Sequence, residues 1–320
     1  PDMLDITMLR QPTTAVLRTH LADADYLISE RTGVIDADAI AAAPHLKLIL
    51  RLGSLTHDID VAAAKTAGVP VCYWPVASVI RVAEHLVMQM LALSKKLRES
   101  EAIALAAGSE WGESKRTDED IFAYNWSRRE NVEGLWRRTI GIMGFGEIGA
   151  ELARRLQGWG CTLLYHKRRR LPESVETALG LTYVDSGMLY AESDYLVNLL
   201  PYFAGTDMLL NTAVLTQMKA GACLVSCGSG SVIDEAALAD AVQSGKLGGV
   251  ALDTFEWEPI KPDNPLIALA QAHFNVLLTP HIAAGAVADP VQERTVDFSN
   301  IVNHIQGRPL LFEVEGKENN

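Results

Sequence analysis

Residues Thr139-Ile-Gly-Ile-Met-Gly-Phe-Gly-Glu-Ile-Gly149 constrain the fold more than any other stretch of the chain. An apolar run ends at Gly144, and further glycines follow at 146 and 149. The run fits a buried strand. Residues 147–159 carry Ile148, Leu152, Arg155 and Leu156 at three- and four-residue spacing, the period of a helix. A strand that feeds a helix through G-x-G-x-x-G brings backbone N–H groups and a helix N-terminus up to a pyrophosphate. Gly144 permits the tight turn, Gly146 lets a diphosphate approach, and Gly149 lets helix and strand pack closely. A glycine triplet alone also occurs in structural turns, and here the strand-turn-helix context favours a dinucleotide site.

The rest of the chain repeats a strand-helix rhythm. Strands are expected at 24–29, 46–52 and 69–74, separated by helices at 36–43 and 59–67. A long amphipathic helix is expected over 77–97, its apolar face suited to a core or a dimer contact. Residues 108–137 lack a clear period and hold Trp111, Trp126 and Trp136. Irregular segments of that length usually serve function or wrap a neighbour. Further strands are expected at 139–144, 161–166, 194–200, 223–227, 247–252 and 275–279, with helices in the gaps (233–244 among them) and a last helix over 285–306. This alternation predicts an α/β chain of doubly wound parallel sheets covered on both faces.

Composition excludes several classes of function. The 320 residues, 48% of them hydrophobic, leave room for two domains with sizeable cores. A net charge of −12 argues against nucleic-acid binding. Cys72, Cys161, Cys223 and Cys227 form no C-x-x-C pair and fall mostly in expected strands. They read as buried thiols of a reducing compartment, without a disulfide or metal framework. No membrane span and no signal peptide are recognisable, so a cytoplasmic protein is expected.

The strand at 161–166 bears on which dinucleotide binds. NAD-binding units end this strand with an acidic residue that hydrogen-bonds the ribose 2′-hydroxyl. Here His166 holds that place, followed by Lys167, Arg168, Arg169 and Arg170, with no acid before Glu173. A carboxylate repels a 2′-phosphate, whereas a guanidinium grips it with two charge-assisted bonds. A solvated basic loop is the plainer reading, but the position favours NADP, with NAD as the alternative.

Ligands of open parallel sheets bind beyond the carboxyl ends of the strands. The segments expected there are 224–230, 252–259 and 278–284, which supply Asp253, Glu256, Glu258 and His281. A dehydrogenase needs a group that gives a proton to a carbonyl oxygen as hydride arrives. Histidine suits that role, and a carboxylate on its other nitrogen fixes the tautomer. A lone histidine is more often structural; one after a strand-end Thr-Pro in a nicotinamide-binding chain is a candidate acid–base.

These motifs resemble the D-isomer-specific 2-hydroxyacid dehydrogenase family along nearly the whole chain. The resemblance rests on Pro44-His-Leu-Lys-Leu-Ile before Gly53, Ile59-Asp60, Val82-Ala-Glu-His85 and the 139–149 fingerprint. It continues through Leu200-Pro201, Met218-Lys-Ala-Gly221, Val232-Ile-Asp-Glu235, 249–259 and Thr279-Pro-His281. It implies two flavodoxin-like or Rossmann-like domains: a substrate domain of 1–75 with 285–320, and a dinucleotide domain of 76–284. It implies a proton-relay pair His281 and Glu258, and Asp253 as partner of the nicotinamide carboxamide. The backbone of Ser54 and Leu55 would face a small-molecule substrate. The cofactor would lie along Gly144, Phe145, Gly146, Glu147, Ile148 and Gly149, with His166, Lys167, Arg168 and Arg169 at one end. Pro201, Thr206, Cys227, Gly228, Asp253 and His281 would line the other end. No metal is implied. A homodimer paired through the cofactor domains is expected, and so are residues preceding position 1, because the family's first strand is absent.

One departure weighs against these matches. The arginine of the family's A-R-G signature, which grips the substrate's carboxylate and carbonyl oxygen, aligns with Ser229 in Gly228-Ser229-Gly230. A serine cannot reproduce a planar, permanently charged fork. Losing such a bond in a buried site costs about 3–5 kcal/mol, or roughly two to four orders of magnitude for a 2-oxo acid. Leu55 also replaces a glycine in the substrate loop, while Arg51 and Arg81 are candidate substitute cations. Three readings stay open: an oxidoreductase weak or altered in substrate, a dinucleotide-binding sensor or scaffold, and a non-natural change at position 229.

Overall fold

In the computed structural model the described residues are 4–10, 12–30, 33–121 and 124–314. Along the chain come α1 (Thr14–Leu21), β1 (Tyr26–Ser29), α2 (Ala37–Ala41), β2 (Leu48–Leu52), α3 (Val61–Thr66), β3 (Val71–Trp74), α4 (Ala77–Ser94) and α5 (Leu97–Ala106). After an irregular stretch follow β4 (Thr139–Met143), α6 (Glu147–Leu156), β5 (Thr162–His166), α7 (Glu173–Leu179), β6 (Leu181–Tyr183), α8 (Ser186–Glu192) and β7 (Tyr195–Asn198). Then come α9 (Thr212–Gln217), β8 (Ala222–Ser226), α10 (Glu235–Gln243), β9 (Leu247–Leu252), α11 (Pro265–Gln271), β10 (Val276–Leu278), α12 (Pro290–Thr295) and α13 (Ser299–Ile305). The chain divides into two units, 1–79 with 286–320, and 80–285.

The first unit is built on a parallel three-stranded sheet in the order β1-β2-β3. β2 is buried at every position, Arg51 included, as a strand covered on both faces must be. Leu48, Leu50 and Leu52 pack with Cys72 and Ile301 on one side, while Ile49 joins Ile40, Ile59 and Val71 on the other. Residues 312–314 run antiparallel along β3, with Tyr73 N–H donating to Phe312 O and Val314 N–H to Val71 O.

The second unit holds a seven-stranded sheet in the order β10-β9-β8-β7-β4-β5-β6, parallel throughout. This is the doubly wound α/β architecture that the strand-helix rhythm predicts. Strand order reverses between β4 and β7, which are neighbours. A crevice opens at such a switch point, beyond the carboxyl ends of the strands. The main core of this unit gathers Met143, Leu196, Leu224, Leu238, Val250 and Leu266 from strands and helices alike.

Several expectations need correction. The strand β6 was not expected: three residues at a sheet edge are too few to show a period. The helix expected over 77–97 stops at Ser94, where Lys96 takes a left-handed conformation (φ 46°) and α5 starts afresh. The last helix begins only at Pro290, where the Asp289 carboxylate accepts from the N–H groups of Val291 and Gln292. It is then broken by a tight turn at Val296–Phe298. Among the described residues no helix is long and apolar enough to cross a membrane.

Candidate active site

At the switch point the β4–α6 loop meets the chain leaving β7. Gly144 has φ +83°, and a Cβ there would lie 2.8 Å from Leu199 C and Leu200 N, so only glycine fits between the two backbones. Around Gly146 a Cβ would meet nothing within 4 Å, so this side of the loop is open. A Cβ on Gly149 would approach the Phe145 ring at 2.9 Å. The close packing at Gly149 is therefore against the loop's own aromatic, which is buried and tilts against Tyr165. Asp or Asn side chains cap α8, α9, α10 and α11, but no side chain caps α6, which starts at Glu147 after Gly146. Ile148 is half-buried beside it. An open glycine face leading into an uncapped helix N-terminus fits the diphosphate of a dinucleotide.

The basic residues after β5 fall into two groups. Arg170 is committed: its guanidinium donates to both oxygens of buried Glu176 at 2.8 and 2.7 Å. With Tyr165 donating to the same carboxylate at 2.6 Å, Arg170 and then Tyr165 hold the Glu176 carboxyl down at about 2. Arg168 and Arg169 are exposed, and Arg168 sits 5.5 Å over the Phe203 ring. Lys167 is half-buried. His166 Nδ1 lies 2.9 Å from the Val184 carbonyl, and the ring stacks on Tyr183. A carbonyl can only accept, so the proton sits on Nδ1 and Nε2 faces elsewhere. Pro201 is exposed, and its carbonyl accepts from the hydroxyl of Thr206 at 3.0 Å. Thr206 is itself buried and ties its loop together.

The carboxyl ends of β8, β9 and β10 bring the remaining candidates together. Gly228 and Gly230 flank Ser229, and neither glycine position has room for a Cβ. A Cβ on Gly228 would strike Leu200 O at 2.8 Å, and one on Gly230 would strike Phe255 C and O at 2.0 Å. Ser229 is half-buried, and its N–H donates to Leu200 O at 2.9 Å. The Glu258 carboxylate lies 2.6 Å from His281 Nδ1 and also accepts from Phe255 N–H at 3.1 Å. Nδ1 therefore carries the proton, leaving Nε2 on the outer side of the ring. This pair is open to solvent, with side chains 58% and 35% exposed. His281 itself has φ 53°, a left-handed backbone.

Asp253 behaves differently. It is fully buried, and its carboxylate accepts from Thr279 Oγ1 at 2.6 Å and from the N–H groups of Ile282 and Ala283 at 3.0 and 2.8 Å. His85 Nε2 lies 3.1 Å from the same hydroxyl and 3.6 Å from Asp253 Oδ1. Burial pushes the His85 pKa down, against the pull of Asp253. Cys227 Sγ is 3.6 Å from Gln89 Oε1, and burial pushes its thiol well up. His85, Cys227 and Asp253 place ligand atoms within 4.8 Å of one another. Each is already committed to a hydrogen bond, and the thiol is held protonated, so the cluster reads as a hydrogen-bonded one. His85 and Gln89 were absent from the sequence-based site. Their only signal is a histidine and a glutamine four residues apart on the core-facing side of α4.

Ser54 and Leu55 lie in the first unit, after Gly53 (φ 124°) at the end of β2; the Leu55 side chain is buried. In the same unit Arg51 is almost wholly buried and ion-paired with Asp58, which anchors it within its own sheet. Arg81 in α4 donates to Ala284 O at 3.5 Å.

Residues 87–283 match the family described as "D-isomer specific 2-hydroxyacid dehydrogenase, NAD binding domain". A D-3-phosphoglycerate dehydrogenase of Archaeoglobus fulgidus is 32% identical over 278 residues, covering 86% of this chain and 48% of the relative. The chain thus spans about half the length of that relative. A glyoxylate reductase of Korarchaeum cryptofilum is 30% identical over 318 residues, covering 94% of this chain and 90% of the relative. Among solved structures, a formate dehydrogenase of Granulicella M. superposes with a TM-score of 0.57 at 28% identity, covering 93% of this chain and 76% of that one. The glycine loop at the switch point, the parallel sheet and these matches agree: the chain belongs to the D-isomer-specific 2-hydroxyacid dehydrogenases, a family of NAD-dependent oxidoreductases.

Proposed function

We propose that this chain is an NADP-preferring oxidoreductase acting between a small 2-oxo acid and its 2-hydroxy acid. The observation that carries the reading is the solvent-open His281–Glu258 pair, 2.6 Å apart, beyond the carboxyl ends of parallel strands. When bound, a nicotinamide dinucleotide supplies or accepts the hydride. His281 Nε2 gives a proton to the carbonyl oxygen, or takes it back in the reverse direction, while Glu258 fixes the tautomer and steadies the imidazolium. The glycine loop with α6 would take the diphosphate and Cys227 and Gly228 would line the nicotinamide ring, while Asp253, buried and already accepting from Thr279, Ile282 and Ala283, would brace that wall from behind and not bind the carboxamide itself. The unit 80–285 is the dinucleotide domain.

The preference for NADP rests on the absence of an acid at the end of β5 and on the exposed Arg168 and Arg169. A 2′-phosphate is met there by His166, Lys167, Arg168 and Arg169; Arg170 is spent on Glu176. The protein is cytoplasmic and works as a homodimer. The exposed apolar side chains Leu97, Leu105 and Trp136, 52%, 79% and 66% exposed, suit contact with a second copy of the chain.

Ser229 favours a second reading, a dinucleotide-binding sensor, because the substrate-gripping arginine is missing. Steady-state rates with NADPH and NADH on glyoxylate and hydroxypyruvate, for the parent and for Ser229→Arg, separate the two. The oxidoreductase reading expects a weak parent rate, preferred with NADPH, and a gain in kcat/KM of about two decades with arginine. NADPH binding with no turnover by either protein would support the sensor.

A further inference from the structure

The core-facing side of α4 places His85 and Gln89 in a mainly apolar row. Gln89 is fully buried and His85 is 10% exposed, among Val82, Leu86, Met90 and Leu93. Burying polar groups costs free energy unless they are hydrogen-bonded, so their placement calls for a purpose. The hydrogen bonds around His85 supply one.

Thr279 has a single hydroxyl proton, and its oxygen lies 2.6 Å from the Asp253 carboxylate, which can only accept, against 3.4 Å from the Leu252 carbonyl. The Thr279 oxygen is therefore the acceptor for His85, whose Nε2 must carry the proton across the 3.1 Å contact. A neutral imidazole suffices, in keeping with the downward push of burial. Asp253 passes the constraint on: Oδ1 and Oδ2 clamp the N–H groups of Ile282 and Ala283. Those are the two residues after His281, whose backbone is left-handed at φ 53°. A non-glycine residue persists there only when its surroundings over-determine it. The chain of donors thus runs from α4 through Thr279 and Asp253 to the loop that carries the acid–base histidine.

We propose that His85 is a positioning residue, which orients the Asp253 carboxylate through Thr279 and thereby holds His281 in place. The proposal rests on the proton-transfer role given to His281 above, but its geometry can be tested without turnover. Displacing a reacting group by about 1 Å from a distance costs on the order of 100-fold in rate.

The experiment compares the parent with His85→Leu, His85→Gln and Thr279→Val, and with His85→Leu combined with Thr279→Val. Hydrogen exchange of the 279–283 amides and the NADPH dissociation constant are measured on each, with kcat where turnover is seen. His85→Leu should speed exchange at Ile282 and Ala283 and lower kcat by about 10- to 100-fold, with NADPH affinity within about threefold. Glutamine, which restores a donor near Nε2, should recover most of both losses. The double variant should be no worse than Thr279→Val alone, because the two groups act in series. Unchanged exchange and kcat in His85→Leu overturns the proposal. So does a glutamine variant that folds as stably as the parent yet recovers neither signal, for that is a packing role only. If no protein turns over any 2-oxo acid but exchange still follows this pattern, the positioning chain stands and the oxidoreductase reading fails.

Discussion

Two histidine–carboxylate arrangements sit side by side at the carboxyl ends of β9 and β10, and they are built in opposite ways. His281 and Glu258 are joined directly at 2.6 Å and lie open to solvent. His85 and Asp253 are joined through Thr279, with side chains only 10% and 0% exposed. A group that exchanges protons with a substrate must have a free nitrogen within reach, which the first pair offers. A group that keeps geometry must have its lone pairs filled by fixed donors, and Asp253 accepts from three. On the proposed reading, a histidine with a carboxylate serves transfer in one place and rigidity in the other, and burial separates the two.

Substitutions can break or sharpen that contrast. The largest loss is expected for His281→Ala, which should lower kcat by about 10²- to 10⁴-fold. Because the side chain is exposed, the melting temperature and the NADPH dissociation constant should hardly move; equal loss of rate and cofactor affinity would remove His281 from the acid–base role. Asp253→Asn should behave the other way round. Its amide presents a donor where the parent only accepts, leaving a buried group unpaired at about 1–3 kcal/mol. Calorimetry should show a lower melting temperature together with weaker NADPH binding, and an unchanged melting temperature would contradict the buried-clamp account. Glu258→Gln keeps shape and the Phe255 contact but loses the charge behind the imidazole, so kcat should fall by about 10- to 100-fold with stability nearly intact.

The smallest effect concerns a third carboxylate, remote from the chemistry. Glu176 has its carboxyl held at about 2, below the ordinary 4.5, by Arg170 and Tyr165. Its contribution to stability is complete above about pH 4.5 and is lost as the pH falls towards 2. Glu176→Gln should therefore melt below the parent at pH 7, with the gap closing by pH 2 to 3. A gap independent of pH would show that shape, and not charge, makes that contact. Freed from Glu176, Arg170 should also alter the NADPH-to-NADH affinity ratio by a small factor.

Much of the fold was legible because parallel strands buried on both faces spell continuous apolar runs. The runs at 46–52, 139–144, 223–227 and 247–252 became β2, β4, β8 and β9 within a few residues. Short edge elements such as β6 carried no such signal. The final helix expected from the sequence is too long because periodicity does not register a cap such as Asp289 or a tight turn such as Val296–Phe298. In the candidate site, strand-end residues were readable from spacing, since parallel strands deliver all their carboxyl ends to one edge. His85 and Gln89 were not readable as part of it: on a helix far away in sequence, their period matched an ordinary core face.

The sequence by itself determined the strand-helix order, the glycine loop at 144–149, the serine at position 229 and the residue types at each strand end. These depend on local backbone preference and on apolar period, which act over a few residues. Only the tertiary structure decided which charged groups were already taken: Arg170 by Glu176, Arg51 by Asp58, and Asp253 by Thr279 and the backbone beyond His281. Hydrogen bonds and ion pairs are settled by which atoms come within about 3 Å, and that proximity joins residues as far apart as His85 and Thr279.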